Sequence, residues 1–594
     1  MLKLTRFLRP YRGYVALVLV FALAQAVGGL LPPRLMANIV DEGIVRGDQG
    51  RILSIGGLML LLSMLATACA VAGSYCSSRV ATGFGRTLRG AIFARASHLS
   101  IHQFDRFGAA SLMTRTTNDT TQVQQMLIML MTMVITAPMM AAGGVILALS
   151  QDAQLAWVLI GVIPIMAVIF VAIMRAAVPL STAMQAKIDR LNLVLGEGLS
   201  GVRVIRAFDR GARQRQRFDA ANLDATNTAM TVNRLTAVLM PALFVMLNFT
   251  NLAIIWVGSH RIDQGLMPFG AMISSLQYAM QILFAVFMVT AVFVMLPRAA
   301  AAATRINEVL DLEPEVADRA AGADAGAADA RAGRDPRSGR AEPAGAAAGR
   351  VEFDNVTFQY HGAEEPALSG VSFVANPGEV TAIIGGTGSG KSTLAGLIPR
   401  FYDVNGGRVL IDGVDVRNLP QGELRARIGF VPQRAVLFSG TVAANIRYGR
   451  DAATDDEVRH AATIAQAIEF IDAMPEKFAS PIAQGGINLS GGQKQRLAIA
   501  RAIVRKPDVY VLDDSFSALD FVTDARLRAA LREETAGATV FIVAQRISTV
   551  INADRIIVLD NGRMVGMGTH TELLKSSPVY REIVASQVSL DEVA

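Results

Sequence analysis

The sequence predicts an α-helical membrane domain of six spans fused to a soluble α/β domain of P-loop type. Three observations carry that expectation. The chain has 594 residues, 52% of them hydrophobic, with a mean hydropathy of +0.38, which is too long for one ordinary domain and too apolar for a soluble enzyme. The apolar residues concentrate before Leu312, and the remainder has a mixed composition. In that second part, Gly385-Gly386-Thr387-Gly388-Ser389-Gly390-Lys391-Ser392 matches G-x-x-x-x-G-K-[ST].

Six segments can each cross a hydrocarbon core about 30 Å thick, which needs about 20 helical residues. They lie near Tyr14–Met36, Leu53–Tyr75, Leu127–Leu149, Leu155–Ala177, Val238–Val257 and Phe269–Met295, each nearly free of charge. Pro32, Pro33, Pro138, Pro164, Pro241 and Pro297 lie in or beside them. Proline is tolerable in a span when neighbouring helices satisfy the freed carbonyl. Methionines such as Met126, Met129, Met131, Met133, Met139 and Met140 suit either gaps between helices or an adaptable cavity, and gap-filling is the simpler account. Cys69 and Cys76, the only cysteines, sit about 10 Å apart along one helix. That is too far for a disulfide.

Arginines and lysines set the orientation. Lys3, Arg6, Arg9 and Arg12 precede the first span. Arg79, Arg86, Arg89, Arg95, Arg106 and Arg115 lie between the second and third, and Lys187, Arg190, Arg203, Arg206, Arg210, Arg213, Arg215 and Arg217 between the fourth and fifth. The excess of positive charge inside predicts a multi-pass protein of a bacterial-type plasma (inner) membrane, with both termini cytoplasmic. The same topology accounts for the net charge of +6 without a nucleic-acid partner. The two basic connections read as cytosolic extensions of the spans. Phe104–Gly108 and Val204–Phe208 close them, mixing aromatic and aliphatic residues with charge.

Composition then divides the chain. Residues 1–312 form the membrane domain and 313–349, rich in Ala, Gly, Asp and Arg, a flexible linker. Residues 350–585 form the soluble domain and 586–594 a tail.

Within the soluble domain, Val380–Ile384 reads as a buried strand leading into the glycine-rich loop, and Thr393 onward as a helix. Curled glycines aim successive N–H groups inward, and the helix N-terminus adds positive potential. That is a cradle for a nucleoside triphosphate. Lys391 would reach the β- and γ-phosphates, and the Ser392 hydroxyl would sit on Mg²⁺. Val509–Asp513 is a hydrophobic strand that delivers a carboxylate at its end, a second expected Mg²⁺ partner. Between them, Leu489-Ser490-Gly491-Gly492-Gln493 opens another helix with a second anion-binding N-terminus.

With these motifs in this order, the chain resembles the ATP-binding cassette (ABC) transporters of exporter type, six spans fused to one nucleotide-binding domain. The likeness runs from the N-terminal basic helix to near residue 580, and its most specific motif is Leu489–Gln493. By resemblance, Tyr360 stacks on adenine; the lesser alternative is a core tyrosine at a strand end. Gln433 touches Mg²⁺ and senses the γ-phosphate. Ser490, Gly491, Gly492 and Gln493 close over ATP held by a partner's P-loop, and Ser517–Asp520 links the two sites. Phe104–Gly108 and Val204–Phe208 fall where the family places its coupling helices.

Two positions depart from the family pattern. Members that hydrolyse ATP carry Glu after the strand-end Asp, as general base for the attacking water, and here stands Asp514. Where the family has His before Arg546, this chain has Gln545, a donor without a full charge. Asp514, Gln545 and Gln433 are thus the catalytic candidates, with Ser392, Gln433 and Asp513 for the metal. Both departures weaken transition-state stabilisation and spare ground-state binding of ATP. Together with the unaltered signature they resemble one subunit of the bacterial heterodimeric multidrug- or lipid-type exporters. The implied partner is a second half-transporter with its own Glu and His, and the implied cargo an amphipathic small molecule or lipid. Other readings are an importer built on the exporter fold, or an ATP-gated regulatory or channel-like protein.

Overall fold

The computed structural model of the chain describes residues 2–318 and 348–587. Most of the expected linker lies outside these residues, as does the tail beyond Gln587. The described chain separates into two compact units, one of residues 2–97 and 108–312, the other of 98–107, 313–318 and 348–587.

The first unit is helical: α1 (Arg12–Asn38), α2 (Gln49–Ser97), α4 (Ala109–Thr114), α5 (Thr120–Gln151), α6 (Ala153–Ser200), α7 (Val202–Ala207), α8 (Gly211–Ala237), α9 (Leu239–Asp263) and α10 (Phe269–Leu310). α3 (Ile101–Phe107) belongs to the second unit. Six helices are long and apolar enough to cross a membrane. At 1.5 Å per residue, α2 and α6 run about 70 Å, more than twice a hydrocarbon core. The excess length forms the extensions expected from the two basic connections. Pro32 and Pro33 lie inside α1 without ending it. Pro241 falls in the first turn of α9, where a missing N–H breaks no helical bond.

Many large apolar side chains of these helices face outward, including Leu61, Val168, Trp157 and Trp256. Apolar residues that find no partner within a chain need lipid or another protein against them. Trp157 lies in the first turns of α6 and Trp256 in the last turns of α9, at the end where Asp152 joins the two. Asp152 caps α6 by accepting from the N–H groups of Gln154 (2.9 Å) and Leu155 (3.0 Å), and it also binds Arg261 of α9 at 2.8 Å. Met126, fully buried, packs with Met129, Met133 and Met295. Those methionines fill space between α5 and α10. At the other end, a π-helical turn, Arg115–Asp119, leads into α5. Asp119 is completely buried and accepts two bonds from the Arg305 guanidinium of α10, at 2.8 and 2.5 Å. Arg115 pairs with Glu308 at 2.8 Å.

In the second unit, β1 (Val351–Phe358), β2 (Leu368–Ala375), β4 (Gly406–Ile411) and β5 (Val414–Asp415) form an antiparallel sheet. A six-stranded sheet contains β3 (Val380–Gly385), β6 (Ile428–Val431), β9 (Val509–Asp513), β10 (Thr539–Val543), β11 (Arg555–Asp560) and β12 (Arg563–Gly568), ordered β12-β11-β3-β10-β9-β6. It is parallel except for the β11–β12 pair. Both faces are covered, as a parallel sheet requires. Val509, Val511 and Phe541 enter one core, and Tyr510, Leu512 and Ile542 the other. Each such fully buried aliphatic or aromatic side chain contributes about 1.5–3 kcal/mol.

β7 (Gly440–Thr441) pairs with β8 (Pro481–Ile482), and the helices α12 (Gln421–Ala426), α13 (Val442–Arg447), α14 (Asp455–Ile464) and α15 (Ile468–Asp472) lie between β5 and α16 in the chain. α11 (Lys391–Leu397), α16 (Gly491–Val504), α17 (Phe521–Glu534), α18 (Ile547–Val550), α19 (His570–Ser576) and α20 (Pro578–Ala585) complete the unit.

The first six residues of the expected linker are ordered. Gln103 of α3 donates to the Glu313 carbonyl (2.8 Å), Gln421 donates to Asp318 and Val316, and Arg400 to the Ala317 carbonyl. The other closing segment, α7, buries none of its residues, and Val204 and Phe208 are 60% and 72% exposed.

Removing one member of a buried ion pair strands the other. Arg305→Ala leaves the Asp119 carboxylate without its cation inside the protein, at a cost of about 3 kcal/mol. Asp119→Ala leaves a half-exposed guanidinium that water can satisfy. Thermal unfolding in detergent should therefore fall by several degrees for Arg305→Ala and by less for Asp119→Ala.

Candidate functional site

The C-terminal ends of β3, β9 and β10 meet at one edge of the parallel sheet, where such folds place ligands. β3 runs into Gly385–Gly390, and the loop can turn there only because of its glycines. Gly388 and Gly390 hold φ of +81° and +95°, and a Cβ on Gly390 would lie 2.6 Å from the Ala367 carbonyl oxygen. α11 begins at Lys391, so its free N–H groups face the loop.

The cleft has a volume of about 400 Å³ and is lined by Tyr360, Ala367, Thr387–Thr393, Gln433, Asp513, Asp514, Val543 and Gln545. Lys391 folds back, its Nζ donating to the carbonyls of Gly385 (2.9 Å) and Gly386 (2.6 Å). Burial lowers the Lys391 pKa, opposed by the charges of Asp514 and Asp513. Ser392 Oγ donates to Asp513 at 3.0 Å. Burial pushes the Asp513 carboxyl up, against the pull of the Ser392 bond and the Lys391 charge. A buried carboxylate held up by desolvation, with a hydroxyl on it and an amide nearby, is a set of hard oxygen donors that fits Mg²⁺.

Asp514 continues from β9 in a left-handed conformation, φ +45°. Its N–H donates to the Val543 carbonyl at 2.9 Å, and its own carbonyl accepts from the Ser517 hydroxyl at 2.9 Å. Its carboxylate accepts from Gln433 Nε2 at 3.2 Å. The backbone is thus held on both sides, so the reach of the carboxylate depends on its side chain. Gln545 lies exposed at the cleft, just beyond β10. Tyr360 is half-buried, with its hydroxyl 2.9 Å from Thr393 Oγ1 and its ring edge-on to Phe358 and Tyr402. It is packed as a core tyrosine on one side and lines the cleft on the other.

Ser490, Gly491, Gly492 and Gln493 do not join this cleft. They start α16 as a capping box: the Gln493 N–H donates to Ser490 Oγ (3.3 Å), and the Ser490 N–H donates to Gln493 Oε1 (2.9 Å). The S-x-x-Q spacing is legible as such a box in the sequence. It leaves the N–H groups of Gly491 and Gly492 at the first two helical positions without intrahelical acceptors. A Cβ on Gly491 would meet nothing of this chain closer than Ala518 Cβ at 4.0 Å. No packing within the chain calls for glycine there.

Sequence reasoning missed Gln587, whose side chain bonds to the backbone on both sides of Arg546. Forty-two residues separate it from Gln545, and no motif marks it. A second cavity of about 360 Å³ lies beneath α17, walled largely by core side chains such as Leu512, Phe516 and Ile542. It has neither a glycine-rich loop nor a lysine.

Comparison with known proteins matches residues 15–286 to the ABC transporter transmembrane region and residues 368–517 to the ABC transporter domain. An uncharacterized ABC transporter ATP-binding protein of Mycobacterium tuberculosis is 43% identical over 98% of this chain and 97% of its own length. The ATP-dependent lipid A-core flippase of Chromobacterium violaceum is 31% identical, covering 98% of this chain and 97% of its own. Among solved structures, a bacterial Atm1-family ABC exporter with ATP bound superposes with a TM-score of 0.78 at 25% identity, over 98% of this chain and 99% of its own.

The loop glycines give a graded test. Gly390→Ala forces a Cβ into backbone at a left-handed position, a strain of about 1–3 kcal/mol. Gly386→Ala meets open space. Photolabelling of this chain by 8-azido-ATP should be largely lost in Gly390→Ala and in Lys391→Ala. In Gly386→Ala the thermal stability should stay at the parental value.

Proposed function

This chain belongs to the ABC transporter family, and we propose that it is the degenerate-site half of a heterodimeric exporter. It is a multi-pass, ATP-hydrolysing translocase in the half-transporter layout, one transmembrane region followed by one nucleotide-binding domain. The observation that carries the proposal is the separation of the two motifs. The P-loop cleft contains no signature residue, and the signature offers unspent N–H groups and an uncrowded glycine. Each motif is half of a site. A second chain supplies the other half, so that this chain's Ser490–Gln493 closes over a nucleotide held by the partner.

Asp514 and Gln545 support a slow site in this chain. With the Asp514 backbone pinned, one missing methylene leaves the carboxylate short by on the order of 1 Å, and such a misplacement costs a general base much of its effect. Gln545 can donate a hydrogen bond to the γ-phosphate but adds no full charge. Ser392, Asp513 and Gln433 would hold Mg²⁺, and the chemistry it supplies when bound is charge neutralisation between the β- and γ-phosphates. Lys391 would exchange the Gly385 and Gly386 carbonyls for phosphate oxygens. Tyr360 would present its ring to adenine.

The basic connections support a cytoplasmic nucleotide-binding domain and cytoplasmic termini. The exposed α7, with Val204 and Phe208 outward, suits docking on the partner. The cargo is an amphipathic molecule or lipid, a reading supported by the lipid A-core flippase among the relatives. Closure over two nucleotides would open the path outward, and hydrolysis in the partner's site would reset it.

The purified chain alone should turn over ATP slowly, and co-expression with its partner half-transporter should restore turnover; brisk hydrolysis by a verified homodimer would contradict the assignment. In the heterodimer, Gly491→Asp puts a carboxylate where a phosphate should approach. ATPase and transport should fall by about a hundredfold, while this chain's own P-loop still takes 8-azido-ATP.

A further inference from the structure

α20 is anchored in the core of the second unit. Tyr580 is fully buried with its hydroxyl 2.8 Å from His570 Nδ1, and Val584 is buried beside it. The chain then turns, with the Gln587 N–H donating to the Val584 carbonyl at 3.0 Å, and the Gln587 side chain reaches the segment that carries Gln545. Gln587 Nε2 donates to the Gln545 carbonyl at 2.7 Å, and the Ile547 N–H donates to Gln587 Oε1 at 2.9 Å. One carboxamide therefore spans residues 545–547, using its donor and acceptor as a neighbouring strand would.

This bond meets a local deficit. α18 starts at Ile547 without a side-chain cap from Arg546, so its first N–H has no acceptor inside the helix. Gln587 supplies one. On the other side of the cleft segment, Val543 is held in β10 and the Ala544 N–H donates to Ile383 at 3.2 Å. Gln545 thus sits between a strand fixed by the sheet and a helix fixed by Gln587. Its backbone is set at both ends, and its side chain is left facing the nucleotide cleft.

We propose that Gln587 is a positioning residue for Gln545, fixing the side chain that meets the γ-phosphate through a clamp on the backbone around it. The inference rests on the reading of Gln545 as a γ-phosphate contact. ADP has no γ-phosphate, so loss of the clamp should weaken ATP and leave ADP alone. A general loosening of the domain would weaken both. Gln587 is exposed, so replacing it buries nothing and opens no cavity.

The test uses the full complex and reads this chain alone, by photolabelling it with 8-azido-ATP and displacing the label with ATP or ADP. Gln587→Leu should raise the ATP concentration needed for half-displacement by about 3- to 10-fold, the size of one ordinary net hydrogen bond, with ADP changed less than about twofold. Gln587→Glu keeps the acceptor for Ile547 but sets a carboxylate oxygen against the Gln545 carbonyl, so it should not restore the ATP affinity lost in Gln587→Leu. Gln545→Ala should shift the ATP-to-ADP ratio by itself, and adding Gln587→Leu to it should shift the ratio no further. Equal weakening of ATP and ADP, an unchanged ratio in Gln587→Leu, or an additive double variant would overturn the clamp while Gln545→Ala still shifts the ratio. If Gln545→Ala leaves the ratio untouched, the γ-phosphate contact itself is wrong and the clamp falls with it.

Discussion

Charge balance at the ends of β3 and β9 is the constraint on which the nucleotide-binding unit depends. The ammonium of buried Lys391 is held by the carbonyls of Gly385 and Gly386. The Asp513 carboxyl, buried beside it, is pushed up by desolvation and steadied by Ser392. The two groups partly offset each other's charge, yet burial still lowers the Lys391 pKa and raises that of Asp513. Triphosphate and a divalent cation would satisfy both at once. The parallel sheet sets β3 and β9 on either side of β10, and the glycine loop curls over the opening between them. The two apolar cores on either face of that sheet keep these ends in register.

On the proposed reading, the cleft is half of one reaction site and the start of α16 is half of another. The capping box of Ser490 and Gln493 satisfies those side chains internally, so the helix start needs no ligand to be stable. Its side chains are tied down without any nucleotide, and a preorganised helix start lowers the ordering cost of closure. Asp514 shows the same economy with the opposite effect. Its backbone is fixed by Val543 and Ser517, and on the proposed reading that geometry would serve a longer carboxylate better.

The P-loop, the strand ending in Asp513 and the signature were legible because each rests on local chemistry: glycines where φ is positive, a β-branched run, a Ser-x-x-Gln spacing. Six apolar segments were legible for the same reason, and the helices contain them. The rest depends on residues far apart in sequence. Asp119 meets Arg305 across 186 positions and Gln587 meets Gln545 across 42, and neither pair leaves a periodic trace. Nor did composition reveal that residues 313–318 pack with α3. Tyr360 could not be settled from sequence, since a strand-end aromatic serves core and cleft alike, and here it does both.

The assignment of the slow site to this chain is tested most directly by trapping nucleotide in the working complex. Orthovanadate replaces the departing γ-phosphate and arrests a site only where hydrolysis has occurred. With 8-azido-ATP, Mg²⁺ and vanadate, followed by photolysis, the account predicts trapped label on the partner chain and little on this one. Equal trapping on both chains would contradict it, because Asp514 and Gln545 would then support the chemistry that their geometry and charge argue against.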